Sequence, residues 1–315
     1  MAAGKKLKIL RGSPGHYELH ERERVAPAED KKARESIQPH IVLQRFPAFA
    51  IAREKLAAGY EFNIDPEDHL IKVFLTSPIT EEDHRRMIVE GKLAVGDKQG
   101  AAREQAKVRA PISNRALNVV SRTTKMGCYS FNLPAGPHSF GGTCPASGLG
   151  FMFLNSVELK AQQRSMSESR QVSVPDFICN GCYALKNSYG NPSQVMFQAV
   201  RYMLTLQWLE QGTFVPRMVD AINAARAVSV NALRGTPKHL HWTIPHPNFF
   251  RIHDSGDFVT PEYTRAWFEI CRKLPDVNFW SPTRMWAVRK QSSTVFEKGV
   301  PPNLALRPSA LHFGE

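Results

Sequence analysis

The chain has 315 residues, 42% hydrophobic and 22% charged, which excludes wholesale disorder and allows a full core in about two domains. No apolar run reaches ~18 residues and Met1–Arg11 has no apolar stretch, so neither a membrane span nor a signal peptide is expected and the cytoplasm is the expected location. Five cysteines, an odd count, point away from a disulfide framework towards reduced thiols available to a metal, and a net charge of +12 favours phosphate-bearing partners.

Residues 1–37, with HERER at 20–24 and EDKKARE at 29–35, read as a mobile charged arm or a frayed helix. Residues 38–110 read as a small α+β accessory region, with a strand in HLIKVFLTS (69–77) and a helix to about Glu90. The Thr80/Asp83 spacing of a capping box opens that helix. Nothing in this region suggests chemistry. From residue 111 to 315 the chain reads as a cysteine-containing α/β core. Residues 128–182, rich in Gly, Pro and Ser, are expected to form one long functional loop system. Asn191-Pro192 predicts a capped helix closed by Gly212, and a second helix is expected over Val215–Val228. The rest has a strand–helix rhythm: strands at 249–257, 277–283 and 303–310, with helices from Thr260-Pro261 to Pro275 and over about 286–297. Ile252, Phe279 and Leu306 recur every 27 residues, the mark of βαβ units and a parallel sheet. Each strand ends in polar residues: Ser255 and Asp257, Thr283 and Arg284, Arg307 and Ser309. Carboxyl ends of parallel strands are where ligands bind, so these should share one rim.

Cys179 and Cys182 form a C-x-x-C, close enough to hold one metal ion or cluster, with Cys128 and Cys144 upstream. Four such cysteines could close a zinc site; three could hold a cubane cluster with one iron open. Cys271, on the apolar face of a helix, is expected to pack. His253-Asp254-Ser255-Gly256-Asp257 suits acid–base work, metal ligation or hydrogen bonding to a ribose, with Gly256 permitting a tight turn and one aspartate expected to cap the next helix. Trp280 could stack on a base and Arg284 pair with a carboxylate or phosphate. His239, His241 and His246 lie in Pro-rich surroundings that predict a surface loop. Residues 111–253 carry 13 basic and 5 acidic residues, net +8, against +3 before and +1 after. Arg164, Arg170, Lys186, Arg201 and Arg217 are the candidates for a face that meets an anionic partner, a nucleic acid or nucleotide.

KMGCYSFNLPAG (125–136), TCPA (143–146), CNGCYALKNSYGNP (179–192), FRIHDSGDF (250–258), EYTRAW (262–267) and VNFWSPTR (277–284) together resemble a phage and prophage family, the gene product 88 family, whose members are similar to radical SAM enzymes. The resemblance covers about residues 115–312. It implies a partial parallel (β/α) barrel, a [4Fe-4S] cluster on Cys144, Cys179 and Cys182, and S-adenosylmethionine (SAM) on the open iron. Ser255, Gly256 and Asp257 would then lie beside the cofactor, with Thr283, Arg284 and Ser309 on the same rim. His253, Asp254 and Asp257 are the catalytic candidates, and the host cytoplasm is the setting. The rival expectation is a zinc-stabilised nucleic-acid-binding protein without catalysis, holding zinc on Cys128, Cys144, Cys179 and Cys182. A degenerate enzyme fold used as a structural module is the third.

Overall fold

The computed structural model describes residues 9–11, 17–19, 44–57, 59–65, 70–94, 96–107, 116–123, 126–136, 142–145, 182, 184, 189, 191–287 and 299–310. The chain divides into two compact units, Met1–Ile37 and Gln38–Glu315. In the first, β1 (Ile9–Arg11) and β2 (Tyr17–Leu19) pair antiparallel with Ile9 opposite Leu19, so these six residues form strands where a mobile charged arm or a frayed helix was expected.

The second unit opens with α1 (Arg45–Lys55), β3 (Phe62–Asp65) and β4 (Leu70–Phe74), then α2 (Glu81–Ala94), α3 (Lys98–Gln105) and β5 (Ala116–Asn118). The capping box at α2 is reciprocal. Thr80 N donates to Asp83 Oδ2 at 2.9 Å, and Asp83 N donates to Thr80 Oγ1 at 3.1 Å. Two of the orphan amides at the helix start are thereby satisfied. Strands β3, β4 and β5 make an antiparallel sheet, and β5 lies beyond residue 110. The boundary drawn there from composition therefore divides no unit. Helix α1 packs on α4 (Pro192–Glu210), and buried Arg201 of α4 donates to Asn118 O and Ser121 Oγ, both at 2.8 Å.

The larger sheet has the order β10-β9-β8-β7-β6, from β6 (Ser121–Thr123), β7 (Cys128–Phe131), β8 (Phe249–Ile252), β9 (Asn278–Thr283) and β10 (Leu304–Pro308). Strands β7 to β10 are parallel and β6 is an antiparallel edge, so the sheet is mixed. Residues 128–131, expected in a loop, thus form a buried strand of this sheet. Phe250, Phe279 and Leu304 align across it, placing Ile252 and Leu306 two residues further along than the 27-residue repeat suggested. A shift of two keeps the same face, so the inward pattern survives.

Helices α4, α5 (Phe214–Gly235) and α6 (Pro261–Lys273) complete the unit. Asn191 caps α4, its side chain accepting from Ser193 N, and Gly212 at φ +66° ends the run two residues past it. Thr260, rather than Asp254 or Asp257, caps α6 through Tyr263 N at 3.2 Å. The buried face of α6 presents Tyr263, Trp267, Ile270 and Cys271 at helical spacing. Fully buried Trp267 meets the rings of Phe131, Phe214 and Phe250 at centroid distances of 5.8–6.0 Å, locking helix to sheet. Residues 285–287 form a single 3-10 turn, and the helix expected over 286–297 otherwise lies outside the described residues. Among the described residues no helix is long and apolar enough to cross a membrane.

Candidate metal and cofactor site

Four parallel strands that end on one side leave four loops to be joined there. After β7, Leu133 N donates to Ser255 O at 3.0 Å, and Ser255 Oγ donates back to Leu133 O at 2.7 Å while accepting from Gln198 Nε2 at 3.1 Å. Asp254 N donates to Asn132 Oδ1 at 2.8 Å. Gly256 sits at φ +85°, and a Cβ there would fall 2.6 Å from Thr143 Oγ1, so only glycine allows this approach of the two loops. Asp257 reaches across to β9. Its Oδ1 accepts from Thr283 Oγ1 at 2.7 Å and from Phe258 N at 2.8 Å, its Oδ2 from Arg284 N at 2.9 Å. Burial pushes its pKa up, against the pull of these donors. Ser309 N then donates to Thr283 O at 2.9 Å, which ties in the end of β10.

These loops surround a cleft of about 200 Å³. His253, Asp254, Ser255, Gly256 and Asp257 line it, as do Thr283, Arg284 and Ser309, so the rim expected from three strand ends exists. Arg307 does not line it and is exposed on edge strand β10. Cys144 and Cys182 line the same cleft. Gly136 N donates to Cys144 Sγ at 3.4 Å, a contact that favours a thiolate. Cys179 lies outside the described residues. Cys128 is buried at the amino end of β7, about 10 Å of strand from the cleft end, and does not line the cleft with Cys144 and Cys182. Among the described residues no three His, Cys, Asp or Glu side chains converge as metal ligands. Cys271 is buried on α6, and burial pushes its thiol up to about 12.

His253 is the described non-glycine residue with positive φ, +65°, in the first step off β8. Its Nε2 meets Tyr263 Oη at 2.9 Å, and its buried Nδ1 has no hydrogen-bond partner among the described residues. Desolvation, aided by Arg251, lowers its pKa to about 3, so at neutral pH the ring is uncharged. Asp254 accepts from Tyr189 Oη and forms an ion pair with Arg251 Nη1 at 2.7 Å. The Arg251 guanidinium in turn lies over the Trp280 ring, 4.6 Å from its centroid. Tyr189 follows the C-x-x-C segment, so this chain of contacts links that segment to the rim. Trp280, a stacking candidate, lines the cleft with its face covered by Arg251.

One residue near the site carried no signal in the sequence. Arg45 of α1 is fully buried, and its Nη1 donates to Ala135 O, on the cleft lining. Burial lowers its pKa to about 10, while the fields of Cys144 and Cys182 act the other way. Its Nε has no hydrogen-bond partner among the described residues. A buried guanidinium in the field of two sulfurs would stabilise a negatively charged group bound there. Two soft sulfur donors beside a buried cation, with Cys179 three residues from Cys182 in sequence, suit a thiolate-bound metal or iron–sulfur cluster.

Two of the five cations expected on a face for an anionic partner are engaged within the fold. Arg201 is 4% exposed and occupied by Asn118 and Ser121. Arg217 lies over the rings of Tyr60, Phe62 and Trp208 at 5.0–5.6 Å. Both cations serve packing, because long basic side chains cover aromatic surface and satisfy backbone carbonyls. Arg164, Arg170 and Lys186 lie outside the described residues. The segment with His239, His241 and His246 runs over the surface, as its prolines suggested.

The family model for Gene product 88 matches residues 92–312. Over 39 residues the chain is 51% identical to the Gene 88 protein of Mycobacterium phage L5 and 49% identical to that of Mycobacterium phage D29. Each match covers 12% of this chain and 16% of the relative. No solved structure matches.

Proposed function

The chain belongs to the Gene product 88 family, and we propose that its cleft holds an iron–sulfur cluster and SAM and serves a radical reaction on a nucleic acid or nucleotide. The observation that carries this reading is the meeting of Cys144 and Cys182 in one cleft at the carboxyl ends of parallel strands, with a buried arginine bonded to its lining at Ala135. On this reading β7 to β10 are four strands of a partial parallel barrel, and the setting is the host cytoplasm. Cys144, Cys179 and Cys182 would hold the cluster, which with SAM supplies one-electron radical chemistry that no side chain can provide.

The chain's own residues would do the rest. Arg45 balances negative charge at the sulfurs. Arg251, fixed between Asp254 and Trp280, and the rim backbone present donors and an aromatic wall to a cofactor. Neutral His253 offers Nδ1 as a hydrogen-bonding atom without adding charge, and Asp257 holds the strand-end loops together. The placement of Cys128 outside the cleft lining favours a three-cysteine site over a four-cysteine zinc protein. Protein purified without oxygen is expected to be brown, absorbing near ~400 nm, with iron and sulfide that Cys182→Ala abolishes and Cys271→Ala preserves. A colourless protein with stoichiometric zinc, or full iron loading in Cys182→Ala, overturns the reading.

A further inference from the structure

The amino end of the large sheet, opposite the cleft, is capped by the strap that joins α5 to β8. Within it Lys238–Thr243 form a 3-10 helix with no buried residue. The strap is nonetheless tied down. His241 Nε2 meets Thr236 O at 2.9 Å, His246 N donates to Gly127 O at 2.7 Å, and Arg226 Nε donates to Pro247 O at 3.2 Å. On this anchored strap Trp242 is 79% exposed, the most exposed large hydrophobic side chain among the described residues. Phe249, with His246 packed edge-on at 4.7 Å, is 50% exposed, and Met126, beside the Gly127 anchor, is 47% exposed. Holding an indole in water forgoes one of the largest burial gains a side chain can make, and exposed rings on one anchored strap mark an interaction site.

The charge along the strap itself has one sign. From Ala221 to His253 the chain carries no acid, while Arg226, Arg234 and Lys238 lead into the strap and His239 sits within it. Arg234, Lys238 and His239 are exposed. Trp242 stands between His241 and Thr243, and His246 and Asn248 lie between it and Phe249, so polar groups interrupt the exposed apolar side chains, Leu240 among them, and break up the continuous apolar face that enters a bilayer. Discrete aromatic faces flanked by cations are the groups that hold single-stranded nucleic acid.

We propose that this strap docks a single-stranded nucleic acid, Trp242 stacking on a base and Arg234 and Lys238 meeting phosphates. Duplex bases are already stacked on each other, so a duplex should bind more weakly. The proposal shares the substrate class of the cleft reading but does not depend on the metal centre.

The test is fluorescence anisotropy of the full chain with a labelled oligothymidylate of ~20 nucleotides, and its duplex, at ~50 and ~200 mM salt. Trp242→Ala is expected to weaken binding by about 5- to 150-fold, with Trp242→Phe retaining most of it. Lys238→Gln should lower the salt slope by about 0.7. The fold-change caused by Trp242→Ala should be the same in protein purified with metal and in protein stripped of metal by a chelator, which separates failure of the cleft reading from failure of this one. Undetectable binding at low salt, or equal binding by Trp242→Ala, overturns the proposal. So does Trp242-dependent binding to phosphatidylserine vesicles without oligonucleotide binding, which would assign the face to a membrane. Concentration-dependent mass lost in Trp242→Ala would assign it to a second copy and also overturn it.

Discussion

His253 joins three unusual properties in one residue: a left-handed backbone, complete burial and an uncharged ring at neutral pH. Backbone strain of this kind collects where function constrains geometry, and here the strained residue lines the cleft. Its pKa also makes a stability prediction. The folded value, about 3, lies below the ordinary 6.5, so between those values the unfolded chain takes up a proton that the folded chain refuses. Stability from this residue is therefore complete above pH ~6.5 and is lost as pH falls towards ~3, with a slope of up to ~1.4 kcal/mol per pH unit. Asn tolerates a left-handed backbone and does not titrate in this range. Melting curves of His253→Asn are expected to fall less steeply than the parent's between pH 7 and 4. Parallel curves would show that the imidazole is solvated. The pattern H-D-S-G-D marked this residue as chemical, but a buried ring held on Tyr263 depends on where α6 packs.

At the scale of elements, the loop after β8 works as a clasp. Asp257 fills both carboxylate oxygens with donors from Phe258, Thr283 and Arg284, joining one strand end to the next. Its charge change thus bears on the fold as well as on any ligand. Asp257→Asn turns an amide NH2 towards at least one of those donors and is expected to cost about 1–3 kcal/mol, read as a lower denaturant midpoint with an unchanged m-value. An unchanged midpoint would mean that the clasp is not closed in solution. Helix boundaries here were legible from local chemistry. Thr80 with Asp83, Asn191-Pro192 and Thr260-Pro261 each start a helix at the position their spacing predicts, because capping bonds involve residues only two or three apart. Strand β7 was not legible, since Cys128–Phe131 is short, flanked by glycine and proline, and fixed by its partner β8 far along the chain.

For the molecule as a whole, the N-terminal α+β segment is part of the cleft's construction. Helix α1 brings buried Arg45 to Ala135 on the cleft lining, within the electrostatic reach of Cys144 and Cys182, although composition set residues 38–110 apart from the chemistry. Replacing a buried, acid-free charge by an apolar side chain of similar length is often neutral or stabilising when nothing anionic sits beside it. Arg45→Met is therefore expected to leave the melting temperature of metal-free protein unchanged or raised, while lowering iron per chain after anaerobic reconstitution. Full loading in a stably folded Arg45→Met protein would remove the counter-charge role.

By itself the sequence determined the features set by near neighbours: the capped helices, the parallel order implied by repeated strand–helix spacing, and the polar strand ends that meet on one rim. Parallel strands entered from the same side must end on the same side, so the rim follows from topology alone. The tertiary structure decided which of the charged and sulfur groups share that space. It moved Cys128 to the far end of its strand, turned Arg201 and Arg217 into packing cations, and brought Arg45 to the sulfurs. Those outcomes depend on burial and on contacts between residues far apart in sequence, where the desolvation of a charge is decided by its final neighbours and not by its local pattern.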